Sequence, residues 1–233
     1  MLKWFKTYVL SLRKDIVFLL IVDCAFLLVM ELWLRKIPAP FPVFPKIGDV
    51  FVTLGVSFLA SFIFYFVQVH LPDTRQKKDL YPVISALFHR IIQTEKSFLT
   101  EFVGIKPFEA LTEETIKNGT ESRDVNVQDA PLHLAVQHRS ANWMEYGISQ
   151  VADIDKTWEM LMKYSAYMDS ELLSLLSRIQ GAGTLGFFRT MKGIYPTMGK
   201  GAKLNGFGGG MVELWRFIQE QEAYYSRVFP DYQ

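Results

Sequence analysis

One stretch of this chain limits its fold more than any other: Val50–Val69 holds 20 residues without an Asp, Glu, Lys, Arg or His. As an α-helix rising about 1.5 Å per residue, it measures roughly 30 Å, which is the thickness of the hydrocarbon core of a bilayer. A soluble helix of this length normally shows a charged face, and this stretch shows none. We therefore interpret Val50–Val69 as a transmembrane helix rather than as the buried core helix of a soluble protein.

A second apolar stretch precedes it in the chain. Ile16–Leu34 holds 19 residues, of which only Asp23 and Glu31 are charged. This length is again sufficient to cross a bilayer. The stretch is too long and too acidic for the core of a signal peptide, and no small-residue cleavage site follows it. The two stretches together predict a two-helix transmembrane hairpin.

The distribution of basic residues predicts the orientation of this hairpin. Lys and Arg flank its two outer ends and are fewer in the connection between the spans. Because basic segments tend to stay on the cytoplasmic side, both termini are predicted to be cytoplasmic. Aromatic and basic residues near the N-terminus fit an amphipathic helix lying in the membrane interface. The predicted organisation is an interfacial helix over 1–14, a hairpin over 15–71 with spans at about 16–34 and 50–69, and a cytoplasmic helical domain over 72–233.

The segment after the hairpin predicts an all-α fold. Helical periodicity covers 82–102, 152–180 and 210–228. Between Ile154 and Ile179, eight positions alternate spacings of four and three, and seven of them are apolar. This heptad seam is typical of bundle packing or of helix pairing between chains. Residues 104–140 show no clear period and predict mostly loop with a short helix near 112–117. Pro72 is expected to interrupt the helix after the second span.

The motifs that carry chemistry do not indicate an enzyme. The chain has no His-Glu-x-x-His, Gly-x-Ser-x-Gly or Cys-x-x-Cys motif. His133 and His138 are five residues apart, which misses the same-face spacing of a helical metal pair. Cys24 is the only cysteine, so an intrachain disulfide and a Cys-based metal site are excluded. We expect no catalytic residue, no metal and no cofactor.

A polar ribbon runs along the second span. Its members are Thr53, Ser57, Ser61, Tyr65 and Gln68. Four-residue steps drift by about 40° around an α-helix, so the ribbon winds gently. Two interpretations are open: small hydroxylated residues allow close packing between helices, or the ribbon lines a water-filled pore. The ribbon alone favours packing.

The carboxylates of the first span change this balance. A carboxylate at mid-bilayer costs about 2.5–3.5 kcal/mol on insertion scales, so such groups usually face a bundle interior or a cavity. Glu31 is near enough to the outer interface to reach water, whereas Asp23 is not. One hairpin has no interior, so we expect about four or more chains to assemble around Asp23. Such a homo-oligomer would enclose either a packed bundle or a pore.

A basic, glycine-rich segment is the third signal. From Leu172 to Val212 the chain has no Asp or Glu. Five cations lie within that range: Arg178, Arg189, Lys192, Lys200 and Lys203. Glycine lets backbone N–H groups approach an anion, and the cations supply a positive field. The segment predicts either a site for an anionic ligand or a solvated loop, which could also touch anionic lipid headgroups.

Two quoted segments carry a resemblance to a known class. FYFVQVHLPDTRQKK (64–78) and YSAYMDSELLSLLSRIQGAGTLGFF (164–188) combine an aromatic second span, a Leu-Pro-x-x-Arg exit and an acidic-Leu-Leu helix followed by paired Phe. This pattern resembles small two-span membrane effectors of bacterial anti-phage defence, including the channel effector of Hailong-type defence. The resemblance implies an inner-membrane oligomer that a DNA oligomer holds closed, and a partner nucleotidyltransferase that makes this DNA.

These signals lead to one expected function and one alternative. We expect an oligomeric ion channel or pore effector of the inner membrane, gated through its cytoplasmic domain by an anionic ligand such as a nucleotide or a short DNA. The alternative is a non-conducting, membrane-anchored scaffold or adaptor that oligomerises through its spans.

Overall fold

A computed structural model of the protein describes residues 14–32, 44–195 and 207–230. In chain order its helices are α1 (Lys14–Leu32), α2 (Phe44–Tyr65), α3 (Leu71–Val103), α4 (Glu113–Ser122), α5 (Trp143–Met162), α6 (Ser170–Gly181), α7 (Gly183–Ile194) and α8 (Gly208–Val228). Two-residue strands β1 (His133–Leu134) and β2 (Arg139–Ser140) form an antiparallel ribbon. The described residues are therefore mostly helical, which confirms the all-α class.

The chain divides into two compact units, Met1–Asp79 and Leu80–Gln233, and the division falls within α3. In the first unit, α1 and α2 lie side by side and antiparallel. The Phe26 ring on α1 meets the Phe51 ring on α2 edge to face, with centroids 6.3 Å apart. Gly48 and Gly55 of α2 lie directly against α1 side chains. The least exposed positions of α2 recur at alternating steps of four and three, as in a coiled-coil seam: Gly48, Val52, Gly55, Leu59 and Phe62.

Most of the large side chains of α2 are exposed. Among the described residues, the helical run Lys46–Val103 is long and apolar enough to cross a membrane, and only 6% of its most apolar window is buried. Phe64 is 67% exposed and Leu54 is 60% exposed. Soluble proteins rarely expose so large an apolar surface, so this helix suggests membrane association. α1 has the length of a span but carries Lys14, Asp15, Asp23 and Glu31.

The predicted interruption at Pro72 is wrong. A π-helical turn covers Phe66–His70, and α3 follows at once from Leu71 to Val103. Pro72 is the second residue of α3 and directly follows the π turn and Leu71. The π turn changes the hydrogen-bond register just before the proline. The helix therefore continues where we expected an exit, and even Pro82 lies inside it.

The core of the second unit contains a cluster of aromatic side chains. Phe98 and Phe102 of α3 and Phe188 of α7 are fully buried. Phe98 and Phe188 meet edge to face with their ring centroids 5.4 Å apart. Gly147 of α5 lies so close to the Phe188 ring that a β-carbon would not fit without a shift. This glycine lets the backbone of α5 approach α7.

The predicted single helix over 152–180 is also wrong. α5 ends at Met162, a 3-10 turn covers Ser165–Tyr167, and α6 begins at Ser170. Asp169 caps α6 because its Oδ1 accepts a hydrogen bond from the Leu172 N–H at 2.7 Å. Five apolar positions of the predicted seam are buried in the core of the same chain: Ile154, Leu161, Leu172, Leu175 and Ile179. The heptad pattern thus reports burial within one chain.

The other predicted helices of the second unit are confirmed. α4 covers the short helix expected near 112–117, and Thr112 and Thr115 form a capping box at its start. α8 covers the helix expected over 210–228. The interfacial helix predicted over 1–14 lies outside the described residues, apart from Lys14.

Candidate functional site

Asp23 is placed by α1 on the face that meets α2. An ideal β-carbon at Gly55 would lie 2.8 Å from Asp23 Oδ1, so only glycine leaves room for the carboxylate. Asp23 Oδ2 is buried and has no hydrogen-bond partner among the described residues. One neighbouring helix thus covers part of this group. The expectation that about four or more chains assemble around Asp23 stays a prediction.

Gly55 is the site residue that the sequence analysis missed. A signal was present, since Gly48 and Gly55 are seven residues apart in an otherwise bulky stretch. Seven residues return to nearly the same side of a helix, so such a pair predicts a close helix approach. Glu31, the second carboxylate of α1, is exposed and does not share this position.

The polar ribbon lies on the opposite side of α2. All five of its residues are exposed: Thr53, Ser57, Ser61, Tyr65 and Gln68. At about 100° per residue, the centre of the ribbon lies roughly opposite Gly55. Thr53 and Ser57 donate hydrogen bonds to the carbonyls of Asp49 and Thr53, each at 2.8 Å. The ribbon therefore takes no part in the contact between α1 and α2.

In the second unit, Arg189 is engaged by the fold itself. Its Nη2 donates to Asp155 Oδ1 at 2.7 Å, and its Nε lies 3.0 Å from the same oxygen. Nη1 also donates to the carbonyl of Gln180 at 2.9 Å, and both terminal nitrogens reach the carbonyl of Ile179 at 3.3 Å. These carbonyls belong to the last turn of α6. Arg189 thus caps α6 and has few donors left for an anion.

The structure describes two further cations of the predicted anionic site. Arg178 forms an ion pair with Glu220 and stacks over the Phe217 ring, 4.6 Å from its centroid. Lys192 is exposed in the last turn of α7. Lys200 and Lys203 lie outside the described residues. Of the five predicted cations, Arg178 lines a cavity of about 290 Å³ beside the first turn of α7.

Among the carboxylic acids described in the second unit, Glu95 has the most strongly shifted pKa. Its side chain is fully buried in α3, and this burial raises the pKa of Glu95 to about 8. A hydrogen bond from Gln221 Nε2 to Glu95 Oε2, 2.7 Å long, and the positive charge of Arg189 oppose the shift but do not overcome it. Glu95 is therefore mostly protonated at neutral pH.

The predicted histidines lie in and beside the short ribbon of strands. His133 begins β1, and His138 occupies a left-handed turn with φ of 51° before β2. In the described ranges, no group of three or more His, Cys, Asp or Glu side chains is placed to hold a metal ion.

Comparison of the chain with protein-family models, curated proteins and solved structures finds no match.

Proposed function

We propose that the protein is an oligomeric ion channel of the bacterial inner membrane, in which hairpins of α1 and α2 from several chains surround a pore. One observation carries this proposal: the polar ribbon of α2 faces away from α1. Polar groups in a membrane normally face a protein interior or a water-filled cavity. Since α1 lies on the other side, the surface that receives the ribbon belongs to another chain or to water.

Gln68 strengthens this step. Thr53 and Ser57 are satisfied by carbonyls of their own helix, so these hydroxyls would tolerate lipid. The amide of Gln68, by contrast, offers two donor hydrogens and an acceptor oxygen. Its side chain is exposed in the π turn that directly follows α2. An assembly of about four or more chains supplies partners or water for it.

The alternative is a non-conducting scaffold whose ribbons only lock the oligomer. The pore is preferred because the ribbon extends over 16 residues, from Thr53 to Gln68. On a helix this is about 23 Å, most of the thickness of a bilayer core. Packing contacts between helices need only a few small residues. A continuous polar face fits a water-filled path better.

Control of the pore is assigned to the second unit and to an anionic ligand. The resemblance to two-span effectors of anti-phage defence supports a role in abortive infection. For the channel effector of Hailong-type defence, which the pattern also resembles, the ligand is a DNA oligomer made by a partner nucleotidyltransferase. A ligand shifts a closed–open equilibrium only by its differential affinity for the two states. A hundredfold preference corresponds to about 2.7 kcal/mol.

The test is single-channel recording of the purified protein in a planar bilayer. Ser57→Leu with Ser61→Leu places apolar bulk on the ribbon and should abolish conduction by dewetting. Val56→Leu with Ile63→Leu places Leu on the flank of α2 and is the matched control. Loss of current in the first variant alone supports the pore. A wild-type oligomer that never conducts would establish the scaffold instead.

A further inference from the structure

A cavity of about 290 Å³ lies where α6 ends and α7 begins. The turn Gly181–Gly183, the first residues of α7 and Gly210 of α8 line it. The volume is at the lower end of the range for small-molecule sites. It can hold one compact polar group together with a small body.

The first turn of α7 offers backbone donors to this cavity. Ala182 precedes the helix and provides no side-chain cap. The first internal bond is the one from the Gly186 N–H to the Ala182 carbonyl, 2.8 Å long. The amides of Gly183, Thr184 and Leu185 precede this bond, so the helix itself supplies no acceptor for them. They also form the positive end of the helix dipole.

Thr184 gives a second and independent indication. The residue is only 3% exposed and lines the cavity. Its Oγ1 has no hydrogen-bond partner among the residues that the structure describes. This oxygen lies against Gly210, where an added β-carbon would come within 2.8 Å of it. A buried hydroxyl without a partner is unfavourable, so an acceptor oxygen that reaches Thr184 would offset this cost.

The charges around the cavity favour an anion with several oxygens. The guanidinium of Arg178 lines it, and its stacking on Phe217 holds the donor plane in place. Its ion pair with Glu220 is half exposed, and such pairs exchange partners at little cost. The exposed carboxylate of Glu213 also lines the cavity and would oppose an anion. Backbone amides, one hydroxyl and one guanidinium match the acceptor oxygens of a terminal phosphate.

We propose that this cavity binds the terminal phosphate of a small molecule, with the α7 amides, the Thr184 hydroxyl and the Arg178 guanidinium as donors. The inference deepens the proposed ligand control and rests on it only for the consequence of binding. The proposed anionic site is now the start of α7 with Arg178, instead of the five cations that are close together in the sequence. Two sources could present this phosphate: a soluble nucleotide or the headgroup of phosphatidic acid.

The experiment measures binding to the full-length protein in detergent by calorimetry. The probes are inorganic phosphate and adenosine 5′-monophosphate, with adenosine as the phosphate-free control. Vesicles with and without phosphatidic acid test the lipid source. We expect the monophosphate to bind and adenosine not to bind. Binding to phosphatidic acid vesicles, with none to the soluble probes, would assign the same site to the headgroup. Failure of every phosphate probe would overturn the proposal.

Variants distinguish a binding site from a packing defect. Thr184→Val removes an unsatisfied hydroxyl, so it should raise the melting temperature while weakening phosphate binding at least about tenfold. Glu213→Gln should tighten binding. Gly183→Ala should weaken it, whereas Gly186→Ala, on the same helix but away from the lining, should not. Neither alanine meets a protein atom within 4 Å, so both variants should fold.

Two outcomes separate this proposal from the proposed function. A Thr184→Val protein that is more stable but binds phosphate as well as wild type would show that the hydroxyl is only a packing defect, and would overturn the site. A protein that binds phosphate as expected but never conducts supports the site and contradicts the pore, because binding is measured without any current.

Discussion

The side chain of Glu95 lies beside Gln221 in the core, where full burial disfavours its ionised form. Glu95 Oε2 accepts from Gln221 Nε2, while Glu95 Oε1 and Gln221 Oε1 are both buried without a partner among the described residues. A proton on Oε1 can be donated to Gln221 Oε1, which satisfies both oxygens at once. Such a reciprocal pair would accommodate the protonated acid, while burial of the carboxyl is what raises its pKa to about 8.

Glu95 should make stability depend on pH in a definite direction. The unfolded chain releases this proton near pH 4.5, whereas the folded chain keeps it until about pH 8. Between these values the folded state binds more protons, so the free energy of unfolding falls as pH rises. Glu95→Gln keeps two bonds to Gln221 and cannot ionise. At pH 9 it should melt several degrees above wild type, and at pH 5 at about the same temperature.

The control for this prediction is Glu114→Gln, which changes an exposed carboxylate of α4. It should follow the wild-type pH profile. Thermal melts monitored by circular dichroism from pH 5 to pH 9 are sufficient. If Glu95→Gln and wild type lose stability in parallel over this range, Glu95 is ionised in the folded protein and the pairing described above is wrong.

Gly55 should be intolerant of a side chain because of Asp23. A β-carbon there would lie 2.8 Å from Asp23 Oδ1 and 2.9 Å from Leu27 Cδ2. Gly55→Ala should therefore destabilise the α1–α2 pair by about 1–3 kcal/mol, the usual cost of overpacking. At Gly48 the nearest atom is the flexible end of Met30, at 3.1 Å. Gly48→Ala should be nearly neutral. Unfolding in sodium dodecyl sulfate compares the two, and equal losses would contradict the assigned contact.

At the scale of the helices, Asp169 stabilises the interruption between α5 and α6. Asp169 caps α6 through Oδ1 and accepts a hydrogen bond from the Tyr224 hydroxyl through Oδ2, at 2.8 Å. The buried position of Tyr224 and this bond raise the pKa of its hydroxyl. The side chain of Asp169 thus caps the start of α6 and also connects α6 to α8 through Tyr224.

Loss of the Asp169 carboxylate should lower the free energy of unfolding by more than the loss of a single hydrogen bond. Asp169→Ala removes the cap and leaves the Tyr224 hydroxyl without its acceptor, for a combined loss of about 2–3 kcal/mol. Asp169→Asn retains an oxygen for the Leu172 N–H and should lose clearly less. Chemical denaturation of the two variants measures the difference. An alanine variant as stable as wild type would mean that α6 is held by its apolar face alone.

How far the sequence predicts the helices depends on the signal used. Apolar periodicity correctly places α8 and the buried seam from Ile154 to Ile179. It misses the break within that seam, because periodicity continues in phase while the Asp169 cap and the turn before it end the helix. Likewise Pro72 predicts the end of a helix, yet the helix continues through it, directly after a π turn. Local capping and hydrogen-bond geometry determine where such helices end, and the apolar periodicity of the sequence carries no information about that geometry.

For the whole molecule, the sequence predicts which residue types could form the candidate sites, but not where the fold places them. Charge counting locates a basic segment around α7, but it cannot show that Arg189 is used by Asp155 and by the end of α6. The cavity beside Thr184 depends on α7 and α8 meeting where Thr184 lies against Gly210. Residues so far apart in sequence come together only in the folded unit. In the hairpin, by contrast, the ribbon was visible from four-residue spacing alone.

The ribbon face of α2 should be the contact between chains. Cys24 is the only cysteine, so Cys24→Ser provides a background for single thiols. On this background, Ser61→Cys should form disulfide-linked dimers in native membranes. Leu59→Cys, one of the less exposed positions of the seam that faces α1, should not. Equal cross-linking at both positions would contradict an interface on the ribbon.

The same Ser61→Cys protein separates a pore from a packed bundle. If the ribbon lines a water-filled path, a charged methanethiosulfonate reagent added to an open channel should reach the thiol and reduce the current, because a fixed charge in a narrow pore changes the barrier for ions. Ile63→Cys on the flank of α2, 54% exposed in the isolated hairpin, should face lipid and remain unmodified. Dimers that form at Ser61→Cys without any reaction with the reagent would identify a dry interface, and the oligomer would then be a scaffold.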